Sequence, residues 1–155
     1  MGEFDDPVVV AFPLRGEWSV ERTPAHRIPS HGTDLLGQRY AYDLVRADHR
    51  PGLHLHPAGT LRFLLIGGRT RDCYGWGQPV HAAFDGVIVQ VVDGVAERQW
   101  LHVARESWLA VRNTLAFARR GLDPTRLAGN HVILGTGGTY ALYAHLTPGS
   151  VAVTR

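Results

Sequence analysis

The sequence contains no lysine, so all 16 of its basic side chains are arginine. That excludes a carrier module, which needs a modifiable lysine at a hairpin tip. Cysteine occurs once, at Cys73. One thiol excludes an internal disulfide framework and any zinc site built on a cysteine cluster, and Cys73 reads as a small packed residue. No apolar run reaches the length of a membrane span. The opening stretch, MGEFDDPVVVAFPLRG, has early acids, no basic leader and a short apolar run broken by proline. It is therefore not a signal peptide, and the chain as written reads as cytoplasmic. Charge is sparse: 19% of residues are charged and the net charge is +2. Basic residues cluster no further than pairs such as Arg119-Arg120, which gives no reason to expect a nucleic-acid surface.

What is present is turn chemistry and short apolar segments. The 155 residues suffice for one domain with a sizeable core, and 18 glycines and nine prolines favour a sheet-rich fold. Short strands are expected at Val8 to Phe12 and Tyr40 to Val45, with an irregular loop from Asp48 to Gly59. Leu61 to Ile66 is an apolar run closed by Gly67-Gly68. In QPVHAAFDGVIVQVVDG, Asp85-Gly86 signals a hairpin leading into the valine-rich run from Val87. One segment changes period. Leu101, Ala104, Trp108, Val111, Leu115 and Ala118 recur at steps of three and four, which predicts a helix near Glu97 to Arg119 capped by Gly121. A second hairpin follows, from Asn130 to Gly135, through Gly137-Gly138, to Thr139–His145. Ser150 to Thr154 reads as the start of another strand. The expected fold class is mainly β: an antiparallel sheet core, with one α-helix inserted at residues 95–121 of a single domain spanning 1–155.

Nine histidines are the unusual feature. His26, His49, His81, His102 and His131 have no chemical neighbour in the sequence and read as surface or satisfied core residues. His54 and His56 form HLH, which on a strand would set both rings on one face as half a metal site. Pro51-Gly52 and Pro57 favour a loop instead. His31 precedes a segment that leads to Asp43, a carboxylate set in an apolar strand between Tyr42 and Leu44. Such a carboxylate is costly unless a cation or strong donors meet it. It either accepts backbone N–H groups or binds a metal with a histidine from elsewhere. His145, at the strand end LYAHL, raises the same question. His31, Asp43 and His145 together suggest a hydrolytic zinc centre, in which N and O ligands lower the pKa of bound water.

In their order, these residues resemble the M23 family of zinc metallopeptidases, the lysostaphin-like or LytM-like endopeptidases of bacterial cell walls. The likeness covers roughly Trp18 to Arg155. It rests on His31 with the AYDL that holds Asp43, then GQPVHAAFDGVIV, then GNHVIL, and last YAHLTPGSVAV. The resemblance implies a duplicated hybrid motif-like antiparallel core with a groove, and peptidoglycan peptides as substrate. It implies a Zn2+ cofactor held by His31 and Asp43, with His145 as an active-site histidine outside the metal's ligand shell. It also implies the cell envelope or an exported location.

The chain departs from the family pattern in three places. The step from His31 to Asp43 is twelve residues, longer than the common spacing, which leaves Asp34 as a rival ligand. The segment from Asp48 to Gly77 and the helix are insertions that would narrow the groove. Family members continue past YAHL to a His-x-His motif whose second histidine is the third zinc ligand, whereas this chain stops at Arg155. The expectation is a domain incomplete at its C-terminus. It would hold zinc weakly and be inactive as given, unless HLH at His54 to His56 substitutes. The alternative expectation is a degenerate, non-catalytic module of the same fold that binds peptidoglycan or regulates a partner.

Overall fold

The computed structural model describes residues 9–48, 55–102 and 128–154. These residues form a mainly β, antiparallel arrangement. Strand β1 (Ser19–Arg22) pairs with β2 (Asp43–Val45). A 3-10 helix, Leu35–Tyr40, lies between them in sequence. Helix α1 (Thr60–Ile66) leads directly into β3 (Gly68–Arg69), which pairs with β5 (Trp100–Leu101). The largest sheet has three strands in the order β4 (Val87–Val92), β6 (His131–Thr136), β7 (Thr139–Tyr143).

Local chemistry explains each element. Valine and isoleucine make up most of β4, and β-branched side chains suit a pleated surface. Gly137 and Gly138 have φ of 51° and 87°. Two consecutive left-handed residues form the tight hairpin turn whose twist matches its strands, and Thr136 therefore faces Thr139. Strand β6 lies between two neighbours and is the most buried, with Val132 and Leu134 in the core beside Leu14 and Ala128. Burial of such side chains contributes about 1.5–3 kcal/mol each.

Polar residues fasten this sheet to its surroundings. The Asn130 side chain, 2% exposed, accepts from the Val95 N–H at 2.8 Å and donates to the Val95 carbonyl at 2.9 Å. Its own carbonyl accepts from the Leu146 N–H at 2.9 Å. His131, equally buried, donates through Nδ1 to the Gly129 carbonyl at 2.8 Å. The Tyr143 hydroxyl accepts from the Ala83 N–H at 2.8 Å.

Several sequence expectations need correction. The Val8 to Phe12 stretch forms no strand over its described residues, 9–12. Its Ala11 N–H donates to the Ala83 carbonyl, and the His81 N–H donates to the Pro13 carbonyl. Pro13 has no N–H to extend a ladder. Asp85-Gly86 is not a hairpin turn: no strand precedes it, and β4 pairs with β6. Gly86 instead allows close approach, since a Cβ there would lie 2.6 Å from the Gly135 carbonyl oxygen. Tyr40 closes the 3-10 helix, so the second strand is confined to Asp43–Val45.

The apolar run from Leu61 is helical and leaves Leu61 and Leu65 exposed. Gly67 ends it, with φ of 82° and an N–H donated to the Phe63 carbonyl. Of the predicted helical insertion, residues 95–102 hold no helix, and Trp100–Leu101 is strand. The remainder of that insertion, to residue 121, lies outside the described residues.

Residues 150–154 form no strand. The Asp93 carboxylate holds them instead, accepting from the N–H groups of Gly149 at 2.7 Å and Val151 at 3.2 Å. A third donor is the N–H of Gly94, at 2.7 Å. These donors, Gly149 foremost and then Gly94, hold the Asp93 carboxyl below its ordinary value. Among the described residues, no helix is long and apolar enough to cross a membrane.

Candidate metal centre

The β1–β2 ladder brings Asp43 opposite Arg22, next to a bulge at Val20/Arg22. The Arg22 Nε lies 3.7 Å from Asp43 Oδ2, and the Asp43 side chain is 42% exposed. Asp43 is therefore not a buried carboxylate met by backbone N–H groups. An arginine faces one of its oxygens, and His31 meets the other.

The long step between His31 and Asp43 is closed by the 3-10 helix. Ser30 is buried and stitches the chain before this helix to its last turn and to Ala41 just beyond it. Its N–H donates to the Arg39 carbonyl at 3.0 Å. Its Oγ lies 2.9 Å from the Gln38 carbonyl and 2.8 Å from the Ala41 carbonyl. The residues between His31 and Asp43 therefore fold back on themselves, and Ala41 lies two positions before β2. His31 Nε2 thereby comes to 3.0 Å from Asp43 Oδ1, while His31 Nδ1 lies 3.0 Å from Ser30 Oγ.

Counting hydrogens defines what this pair can hold. Ser30 has one hydroxyl hydrogen, and two carbonyls compete for it. With that hydrogen given to a carbonyl, Oγ is an acceptor for His31, so the ring hydrogen belongs on Nδ1. A neutral ring then turns a lone pair on Nε2 toward a carboxylate oxygen. In that tautomer Nε2 could take a metal ion beside Asp43 Oδ1, whereas in the other Nε2–H donates to Asp43 Oδ1 and Nδ1 accepts from Ser30 Oγ. Zinc ligands sit about 2.0–2.2 Å from the ion, and two of them in a tetrahedral arrangement are roughly 3.3 Å apart. The donor set fits such an ion after a shift of a few tenths of an ångström. An Nδ1–H donated to a fixed acceptor is the usual way to orient a metal-binding imidazole.

The other candidates lie elsewhere. Asp34 pairs with Arg39 at 2.6 Å and is well exposed, so it does not meet His31. His145 lies beyond the end of β7 in a left-handed conformation, with φ of 59°. Its N–H donates to the Ala128 carbonyl at 2.9 Å, and its ring sits beside Gly129. Among the described residues, no hydrogen bond or ion pair joins it to His31 or Asp43. No group of three or more His, Cys, Asp or Glu side chains there is arranged to hold a metal.

His54 lies outside the described residues. His56 is buried and stacks on Phe63 with ring centroids 5.1 Å apart. Its Nδ1 accepts from the Ala58 N–H at 3.0 Å. Its Nε2 has no hydrogen-bond partner among the described residues and faces the backbone of Gly68, where a Cβ would lie 2.5 Å away. His102 Nε2 donates to the Leu65 carbonyl at 3.0 Å. Burial first, then the neighbouring Asp72, pushes the Cys73 thiol up, as suits a packed rather than a reactive residue.

Ser30 and Arg22 are the site residues that sequence reasoning missed. A hydroxyl directly before the histidine was a signal for the first. Nothing in the sequence marked the second, because its partner is set by strand register. Comparison with known proteins gives no match, whether to a family model, to a curated protein or to a solved structure.

Proposed function

We propose that this chain is a zinc-dependent metalloendopeptidase of the M23 type, acting on the peptides of peptidoglycan. The observation that carries the reading is the 3.0 Å approach of His31 Nε2 to Asp43 Oδ1, with Ser30 behind the imidazole. The four motifs in family order, from His31 to YAHL, support it. His31 and Asp43 would hold the ion, which when bound lowers the pKa of its water and polarises a peptide carbonyl. Ser30 fixes the ring so that Nε2 keeps its lone pair toward the site. Arg22 holds Asp43 Oδ2, leaving Oδ1 as the oxygen turned to His31. His145 is assigned by resemblance as the histidine that steadies developing charge.

Digestion of purified peptidoglycan with zinc-loaded protein tests this reading. His31 and Asp43 are two of the three protein ligands that a catalytic zinc uses. The 155 residues by themselves are therefore expected to release no new amino groups. The chain joined to a segment bearing His-x-His is expected to release them, with loss in His31→Ala and after chelation. Release that is unaffected by chelation would overturn it. A second reading, a non-catalytic module that binds peptidoglycan, is favoured by the Arg22–Asp43 contact. A guanidinium already supplies part of the positive charge that a metal would bring. Sedimentation with peptidoglycan without cleavage is its signature.

A further inference from the structure

We propose that the cleft beside the His31–Asp43 pair binds the carboxylate of a peptide. The cleft has a volume of about 370 Å³ and is lined by Glu21, Arg22, Thr23, His26, Arg27 and Ser30. It is an open surface groove: Glu21, Arg22, His26 and Arg27 are exposed, and Ser30 at its floor is buried. Two of its walls are shared with the candidate metal centre. Arg22 faces Asp43, and Ser30 contacts His31 Nδ1. A group held in the cleft therefore lies next to the pair.

The lining is chemically suited to an anion. Arg27 is positioned from below: its Nε–H donates to the Pro29 carbonyl at 3.3 Å, and Nη2 lies over Gly32, where a Cβ would be only 3.0 Å away. Arg22 uses Nε toward Asp43. The terminal nitrogens of both guanidinium groups have no hydrogen-bond acceptor among the described residues. Thr23 Oγ1 accepts from the Ala25 N–H at 3.2 Å, which leaves its hydroxyl hydrogen to donate. Planar guanidinium forks match the two oxygens of a carboxylate. The two arginines are offset by Glu21 in the lining and by Asp43, which faces Arg22. That balance favours a monoanion over a doubly charged phosphate.

The peptide nature of the ligand rests on the peptidase reading above, whereas the anion site rests on the cleft alone. The test is calorimetric titration of the full chain, zinc-free, with N-acetyl-dialanine and with its C-terminal amide. The acid is expected to bind about tenfold more tightly, the effect of one charge-assisted hydrogen-bond pair. Arg27→Gln is expected to abolish the difference, with Arg22→Gln as a second variant should the first not fold. Equal binding of acid and amide would overturn the proposal, as would a preference that survives both substitutions. Inorganic phosphate binding more tightly than the acid would overturn the carboxylate assignment. A zinc titration on the same preparation, separate from these arms, reports on the metal reading, so either can fail without the other.

Discussion

His31 Nε2 and Asp43 Oδ1 stand 3.0 Å apart, although they are twelve positions apart in the chain. The closure depends on Ser30, which contacts His31 on one side and the Gln38 and Ala41 carbonyls on the other. Ser30 thus both clasps the segment between His31 and Asp43 and contacts the imidazole.

Ser30→Ala should weaken zinc binding about 10–100-fold, the usual effect of removing a partner behind a metal-binding histidine. Competition against a chelating dye measures it. Ser30→Thr, which keeps the hydroxyl, should recover most of the affinity. Equal affinity in Ser30→Ala and the unsubstituted protein would show that the serine merely packs.

Asp34→Ala should leave zinc affinity unchanged. Asp34 is turned away to Arg39, whose guanidinium is pushed up by its hydrogen bonds to Tyr40 and then Asp34. The pair is at the surface, where ion pairs contribute little to stability. A large loss of zinc binding in Asp34→Ala would mean that the ligand is Asp34 and not Asp43.

The acidic limb of stability should include Asp93. Its folded-state value is lowered by the N–H groups of Gly149, Gly94 and Val151. A lowered carboxylate contributes stability that is fully present above its unfolded value, about 3.9, and is lost as pH falls through the folded value. Hydrogen exchange at Gly149 and Val151 should therefore rise below about pH 4. Asp93→Asn should raise exchange there at neutral pH. Unchanged protection in that variant would contradict the role given to Asp93.

Asn130→Ala should destabilise the domain by roughly 2 kcal/mol, because it removes both hydrogen bonds that the buried Asn130 side chain makes to the Val95 backbone. A thermal midpoint lower by roughly 4–8 °C is the expected readout. A midpoint within a degree of the unsubstituted protein would refute the clamp.

Much of this was legible in the sequence where the signal is local. The Gly137-Gly138 hairpin formed as its glycines required, and the valine run became β4. Misreadings occurred where the partner is distant. Asp85-Gly86 carries a hairpin signal, yet Gly86 serves the close approach of the Gly135 carbonyl from β6. Residues 150–154 have strand-forming side chains, yet the Asp93 carboxylate takes two N–H groups of the C-terminal stretch, Gly149 and Val151. The stripe from Leu101 has helical spacing, but Leu101 itself is drawn into a ladder with Gly68. At the site, His31 and Asp43 stood out by residue type. Arg22 could not, since only the β1–β2 register sets it opposite Asp43.

The central claim is that His31 and Asp43 hold a metal ion, and imidazole nitrogen NMR during a zinc titration tests it most directly. The account predicts that zinc moves the His31 Nε2 resonance to that of a bound nitrogen while Nδ1 keeps its hydrogen against Ser30. It predicts that Asp43→Ala removes the change. A His31 ring that does not respond to zinc, or responds equally without Asp43, would contradict it.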